Sequence, residues 1–68
     1  MTYKKLSEYY KNFNFPVFAT NEDGEFIIIK RGEVDNLEFY QTETHQNNNW
    51  IRVNTYWEDG TVEETYKR

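Results

Sequence analysis

Carboxylate side chains recur in two short stretches that could hold a cation. Residues 21–25 read Asn-Glu-Asp-Gly-Glu and residues 57–61 read Trp-Glu-Asp-Gly-Thr, so Glu-Asp-Gly occurs twice in 68 residues. Alternating oxygen ligands such as those of Asn21, Asp23 and Glu25 suit Ca²⁺. An EF-hand also needs glycine at position 6 and glutamate at position 12 of its loop, and neither stretch has that frame. We therefore predict no metal site and interpret both stretches as turns between strands, because Asp-Gly is a strong hairpin signal.

Side chains that could act as nucleophiles or general bases are sparse. The chain has no cysteine, one serine, Ser7, and one histidine, His45. Ser7 lacks a Gly-x-Ser-x-Gly surrounding, and His45 lies in a polar stretch that we expect to be a loop. Glu63 and Glu64 are adjacent in an expected strand, so their side chains point to opposite faces. We also expect little room for a pocket of roughly 300–1,000 Å³. These features predict a non-enzymatic protein with no catalytic residue and no cofactor.

The charge distribution argues against binding to nucleic acid or to a membrane. The net charge is −4, and residues 22–64 carry 11 acidic and 3 basic residues. Phosphates and anionic lipid headgroups are both bound by clusters of Lys and Arg. The longest apolar run, Phe-Ile-Ile-Ile at residues 26–29, is far shorter than a membrane span. We expect no nucleic-acid partner and no membrane association.

One helix is predicted at the start of the chain. Apolar residues recur there at spacings of three and four, which places them on one face of a helix. They are Tyr3, Leu6, Tyr10 and Phe13. Thr2 is a suitable N-cap. Pro16 ends the helix by residue 14, because the residue before a proline avoids helical backbone angles.

Strands are predicted after the helix, where β-branched and aromatic residues dominate. The runs are residues 16–20, 25–31, 36–43, 49–57 and 61–67, and a short loop containing Gly32 separates the second from the third. The sequence predicts an α+β fold over residues 1–68, as a single domain. One N-terminal helix packs on a curled antiparallel sheet of four or five strands, in the meander order α-β-β-β-β-β.

The run Phe-Ile-Ile-Ile predicts an interior strand. Four consecutive apolar residues place apolar groups on both faces of the sheet, which is typical of a strand covered on both sides. One helix covers only one face. We expect the other face to be covered by curling of the sheet or by a partner chain.

The loop length of the last hairpin decides the register of its two strands. A two-residue turn at residues 59–60, or a four-residue loop, pairs Val53 with Tyr66 and keeps one face apolar. A three-residue loop pairs Val53 with Thr65 instead. A slip of one residue moves an apolar set to the opposite face, so we favour the even loops.

An aromatic interaction face follows from this register. With the apolar side of the fourth strand turned to the helix, the outward side of the sheet carries Tyr40, Trp50 and Tyr56. Contiguous exposed apolar groups mark interfaces. We predict these three residues as the candidate interaction face.

Two functional hypotheses remain. The first is an interaction module, which binds a protein partner or forms a homodimer and serves as a bacterial or phage accessory protein. The alternative is an acidic DNA mimic that inhibits a nucleic-acid-handling protein, suggested by the acidic segment 22–64. The absence of cysteine and of a recognisable signal peptide predicts a cytoplasmic location.

Overall fold

The fold is one short helix on one antiparallel sheet. The computed structural model describes residues 1–46 and 50–68, so Asn49, the first residue of the predicted fourth strand, lies outside the described residues. The elements are α1 (Tyr3–Tyr10), β1 (Val17–Thr20), β2 (Phe26–Val34), β3 (Leu37–His45), β4 (Ile51–Trp57) and β5 (Val62–Lys67). The sheet order is β1-β2-β3-β4-β5. The predicted α+β meander is confirmed.

Helix α1 begins at its predicted cap. The Thr2 hydroxyl accepts a hydrogen bond from the Lys5 backbone N–H at 3.2 Å, which satisfies one of the free donors at a helix start. The helix ends at Tyr10, with the Lys11 N–H as its last cap donor. The placement of Phe13 on the buried face was wrong, because the chain has left the helix there and the ring is exposed.

The core lies between α1 and the sheet. Leu6, Ile29, Tyr40 and Tyr56 form its buried cluster. The Tyr3 ring packs on Tyr40 with centroids 5.4 Å apart, and its hydroxyl donates to Glu38 Oε2 at 2.8 Å. Burial and this bond raise the pKa of Tyr3 to about 12, so the phenol stays protonated in the folded protein. Two tyrosine rings thus give the short helix much of its contact with the sheet.

Strand β2 is an interior strand, as the run Phe-Ile-Ile-Ile predicts. It pairs with β1 on one side and β3 on the other. Ile27 and Ile29 point to the α1 side, where both pack in or against the core. Phe26 and Ile28 point to the opposite side, since side chains alternate along a strand.

The two Glu-Asp-Gly stretches are hairpin loops with the same geometry, which confirms their interpretation as turns. The backbone N–H before each tripeptide donates to the carbonyl after it, at 3.1 Å in the first loop and 2.9 Å in the second. Each glycine has a positive φ, 79° at Gly24 and 94° at Gly60. A three-residue loop that closes with a left-handed glycine is a common hairpin connection.

The register predicted for the β4–β5 hairpin was wrong. Val53 lies opposite Thr65, and Tyr56 lies opposite Val62. This is the pairing of the three-residue loop. The physical reason is Gly60, which takes the closing left-handed position of a longer loop and so shifts the ladder by one residue relative to a two-residue Asp-Gly turn.

The turn between β2 and β3 lies at Asp35 and Asn36, not at Gly32. Both turn residues have positive φ, 52° and 68°, as a two-residue hairpin turn requires. Gly32 stays within β2, opposite Phe39. A Cβ on Gly32 would stand 2.5 Å from the Phe39 ring, so the glycine makes room for the aromatic side chain.

The orientation predicted for Tyr40 and Tyr56 was also wrong. Both face α1, with 2% and 8% of their surface exposed. The β3 and β4 strands carry apolar side chains on both faces, so hydrophobicity alone does not decide which face meets the helix. The turn at residues 35–36 decides it for β3, because it places Tyr40 on the same face as Ile29. Tyr56 shares that face because it lies opposite Tyr40 in the β3–β4 pairing.

Replacing Gly32 by alanine tests the contact with Phe39. Alanine in place of glycine in a strand ordinarily stabilises by roughly 0.5–1 kcal/mol. Here the added methyl meets ring atoms at 2.5 and 2.9 Å, so we expect Gly32→Ala to lower the free energy of unfolding by about 1–3 kcal/mol in urea denaturation.

The control is the same substitution in a Phe39→Leu background. Without the ring, the methyl group has space, and the effect of Gly32→Ala should shrink to near zero or become stabilising. A stabilising effect of Gly32→Ala in the wild-type background would contradict the described contact.

Candidate interaction surface

The sheet face opposite α1, here called the open face, carries apolar side chains from β1 to β4. Residues paired across neighbouring strands point to the same face, so the pairings that start from Phe26 and Ile28 identify the outward residues of each strand. The helix of the described residues lies on the other face. The apolar side chains of the open face are Phe18, Phe26, Ile28, Val34, Leu37, Phe39, Ile51, Val53 and Trp57.

Several of these side chains are strongly exposed. Phe18, Phe26 and Val34 have 62%, 46% and 52% of their surface accessible. Phe18 and Phe26 stack on each other, with ring centroids 5.9 Å apart. Phe39 packs against Trp57 at 4.9 Å. Adjacent exposed aromatic groups form the kind of patch that marks an interface.

A buried carboxylate lies near the centre of the open face. The Glu43 side chain is only 8% exposed, and its Oε2 atom lies 2.7 Å from Lys30 Nζ and 3.7 Å from Lys67 Nζ. The hydrogen bond from Lys30 holds the pKa of Glu43 below its ordinary value, against the opposing effect of burial. Glu43 is therefore ionised at neutral pH and is held between two cations.

A groove, here called the acidic groove, lies at the end of the open face nearest the turn at residues 35–36. Its volume is about 340 Å³. Val34, Leu37 and Trp57 provide apolar walls, while Asp35, Asp59, Thr61 and Glu63 provide polar atoms. Apolar and anionic groups thus line one shallow, open groove.

A second cleft lies on the α1 side, where the helix is too short to cover the whole sheet. Its volume is about 300 Å³. Thr42, Thr44, Arg52 and Asn54 contribute polar side chains to its lining, and Tyr10 contributes an aromatic ring. The Arg52 Nε atom is buried with no hydrogen-bond partner among the described residues. The expectation of little room for a pocket was wrong, because the volumes of the acidic groove and of this cleft reach the lower size limit of ligand sites.

The predicted aromatic face is not assembled as one surface. Tyr40 and Tyr56 belong to the core under α1. Trp50 precedes β4 and is half-buried, with the Arg68 guanidinium 4.6 Å from its ring centroid. His45 ends β3 rather than lying in a loop, and its ring contacts Phe26 at 5.6 Å.

The residues of the open face that the sequence analysis missed had a readable signal. A type I turn favours Asn or Asp at its first position and glycine at its fourth. Asn21 and Gly24 occupy these positions in the first hairpin, and Gly60 repeats the fourth position in the second. Scored in this way, both stretches predict three-residue loops and the observed register of β4 and β5.

Comparisons with protein-family models, with curated proteins and with solved structures gave no match. Within residues 1–46 and 50–68, no group of three or more metal-binding side chains comes together. The same residues contain no helix with the length and apolar character needed to cross a bilayer. The exposed apolar side chains of the open face are therefore the main indication of function.

Replacing Glu43 by glutamine tests the buried carboxylate. The lowered pKa means that Glu43 stabilises the fold fully above its unfolded-state pKa, and that this stability is lost as pH falls through the folded-state pKa. We expect Glu43→Gln to lower the free energy of unfolding by about 1 kcal/mol at pH 7, a modest value because Lys30 is partly solvated. The difference from wild type should vanish in strong acid, where Glu43 itself is protonated.

Glu22→Gln is the matched control, because Glu22 is an exposed carboxylate. It should leave the free energy of unfolding unchanged within about 0.5 kcal/mol across the same urea titrations. Equal stability of the Glu43→Gln variant and the wild type at pH 7 would show that the ion pair contributes nothing.

Proposed function

We propose that the protein is a small, non-enzymatic interaction module that binds a protein partner through the open face. In this proposal it is an accessory protein in the cytoplasm of a bacterium or of a phage-infected cell. The acidic composition and the absence of cysteine support that setting.

The stacked pair Phe18 and Phe26 carries the proposal. Phe18 and Phe26 have 62% and 46% of their surface exposed. They lie beside Ile28 on the face that α1 does not cover. Aromatic side chains are enriched at interface centres, where they bury large areas with little loss of conformational entropy. A partner bound here would bury Phe26 and Ile28, the two side chains of the run Phe-Ile-Ile-Ile that α1 does not cover.

The ion pair of Glu43 and Lys30 supports a specific partner rather than general stickiness. Glu43 is buried while Lys30 is partly exposed, and a charge pair inside an apolar surface disfavours partners that cannot match its charges. Lys67 lies within 3.7 Å of the same carboxylate. The open face therefore presents apolar area around a fixed polar centre.

The alternative of an acidic DNA mimic rests on charge alone. Acidic residues lie in the first Glu-Asp-Gly loop at one end of the sheet, and in the second loop and the turn at residues 35–36 at the other end. Mimicry of DNA calls for rows of negative charge with phosphate-like spacing. Salt dependence separates the two functions, because screening weakens exposed charge contacts far more than apolar ones.

Paired aromatic substitutions test the proposal. The open-face variant is Phe18→Ser with Phe26→Ser, and the matched control is Tyr9→Ser with Phe13→Ser, which removes two exposed rings outside the open face. Sedimentation of the purified proteins measures self-association. Capture from a bacterial lysate, quantified by mass spectrometry at low and high salt, measures binding to other proteins.

We expect the open-face variant to lose its partner by at least about tenfold, as hot-spot residues do, while the control retains it. A dimer that depends on Phe18 and Phe26 would identify the partner as a second copy. Equal capture by both variants would reject the open face. Binding that collapses in high salt and ignores the aromatic substitutions would instead support the DNA mimic.

A further inference from the structure

We propose that the acidic groove binds a lysine or arginine side chain from a basic segment of the partner protein. This inference rests on the proposed function, because the groove is one end of the open face. It adds the chemistry of the partner: an alkyl stem that ends in a cation.

The walls of the groove fit the stem of such a side chain. Val34, Leu37 and Trp57 all lie on the open face and line the groove together. Lysine and arginine bury their methylene groups against apolar surface and keep the charged end near polar atoms. Trp57 adds an indole, the aromatic group that attracts cations most strongly.

The polar lining of the groove fits the charged end. Asp35, Asp59 and Glu63 contribute three carboxylates, and none of them forms an ion pair within residues 1–46 and 50–68. Hydrogen bonds from Thr61 lower the pKa of Asp59, which keeps this carboxylate ionised at mildly acidic pH. The groove therefore presents negative charge without a partner in the described part of the chain.

The surroundings strengthen the preference for a cation. Glu33, Glu38 and Glu58 lie at the same end of the sheet. The basic side chains of the sheet lie elsewhere: Lys30 and Lys67 contact Glu43, Arg31 lies over the Phe15 ring, and Arg52 lines the cleft on the α1 side. Like charges exclude an acidic occupant, and a purely apolar one would leave the carboxylates desolvated without compensation.

A metal ion fits the groove less well than an organic cation. No three metal-binding side chains converge in the part of the chain that the structure describes. The apolar walls are also unsuited to Ca²⁺ or Mg²⁺, which take oxygen ligands. A side chain with both an apolar stem and a cationic end uses the whole groove.

The test uses a peptide probe and the indole N–H resonances as reporters. The probe is a seven-residue peptide of alternating lysine and leucine, and its controls carry glutamine or glutamate in place of lysine. The chain has 2 Trp residues, Trp50 and Trp57. Only Trp57 lines the groove. We expect the lysine peptide to shift the Trp57 resonance in ¹H–¹⁵N spectra and to leave Trp50 unmoved.

Charge-matched variants separate the groove from the overall negative charge. Asp35→Asn with Glu63→Gln removes two groove carboxylates, while Glu8→Gln with Glu22→Gln removes two exposed carboxylates outside the groove. Asparagine tolerates the positive φ at position 35, so the groove variant should fold, as its spectrum will show. We expect about tenfold weaker binding of the lysine peptide to the groove variant and less than about twofold for the control.

Three results would overturn the inference: equal binding of the glutamine peptide, equal weakening by both variants, or no binding of the lysine peptide. In each case, a partner whose capture still depends on Phe18 and Phe26 would leave the proposed function standing. If the lysine peptide does not bind the groove and capture does not depend on Phe18 and Phe26, both the inference and the proposed function are wrong.

Discussion

Three tight hairpin connections set the relative faces of the strand pairs β1–β2, β2–β3 and β4–β5, and the β3–β4 pairing aligns Tyr56 with Tyr40. Two are three-residue loops closed by Gly24 and Gly60, and the third is the two-residue turn at residues 35–36. Side chains alternate between faces, so each loop length fixes the face of every residue in the strand that follows. The observed lengths place Ile29 and Tyr40 under α1 and leave Phe18 and Phe26 on the opposite side.

A helix of 8 residues cannot cover a five-stranded sheet. The core under α1 depends on large residues for this reason, and the Tyr3 and Phe15 rings flank Tyr40 at 5.4 and 5.7 Å. The opposite face keeps a comparable apolar content, but no helix of residues 1–46 and 50–68 covers it. Among the described residues of this face, the buried ones are Val53 and Glu43, near its centre. Both faces of the sheet thus carry apolar side chains, but α1 covers only one of them. The proposed function follows from the apolar face that α1 leaves exposed.

The sequence was sufficient for the elements and for their order. Thr2 as N-cap, the helical spacing of Leu6, and the interior placement of residues 26–29 all rest on local rules that the structure obeys. The roles of the two Glu-Asp-Gly stretches were also predictable, because Asp-Gly between strands has few other uses.

The faces of β3 and β4 could not be read in the same way. Tyr40 and Phe39 are both aromatic and adjacent, as are Tyr56 and Trp57, so the hydrophobic pattern is the same for either orientation. Only loop geometry separates the two, and one residue more or less inverts the result. The acidic groove was unpredictable for a related reason: Asp35, Asp59 and Glu63 line the same groove only when the ladders have their observed registers.

Through-space magnetisation transfer in NMR tests the central claim most directly, because it reports which rings lie against Leu6. The described packing predicts strong cross-peaks from the Leu6 methyl groups to the ring protons of Tyr40 and Tyr56. It predicts none to the indole of Trp57. Cross-peaks from Leu6 to Trp57, with Tyr40 and Tyr56 free of contact with the helix, would contradict the assignment of the two faces and remove the open face with it.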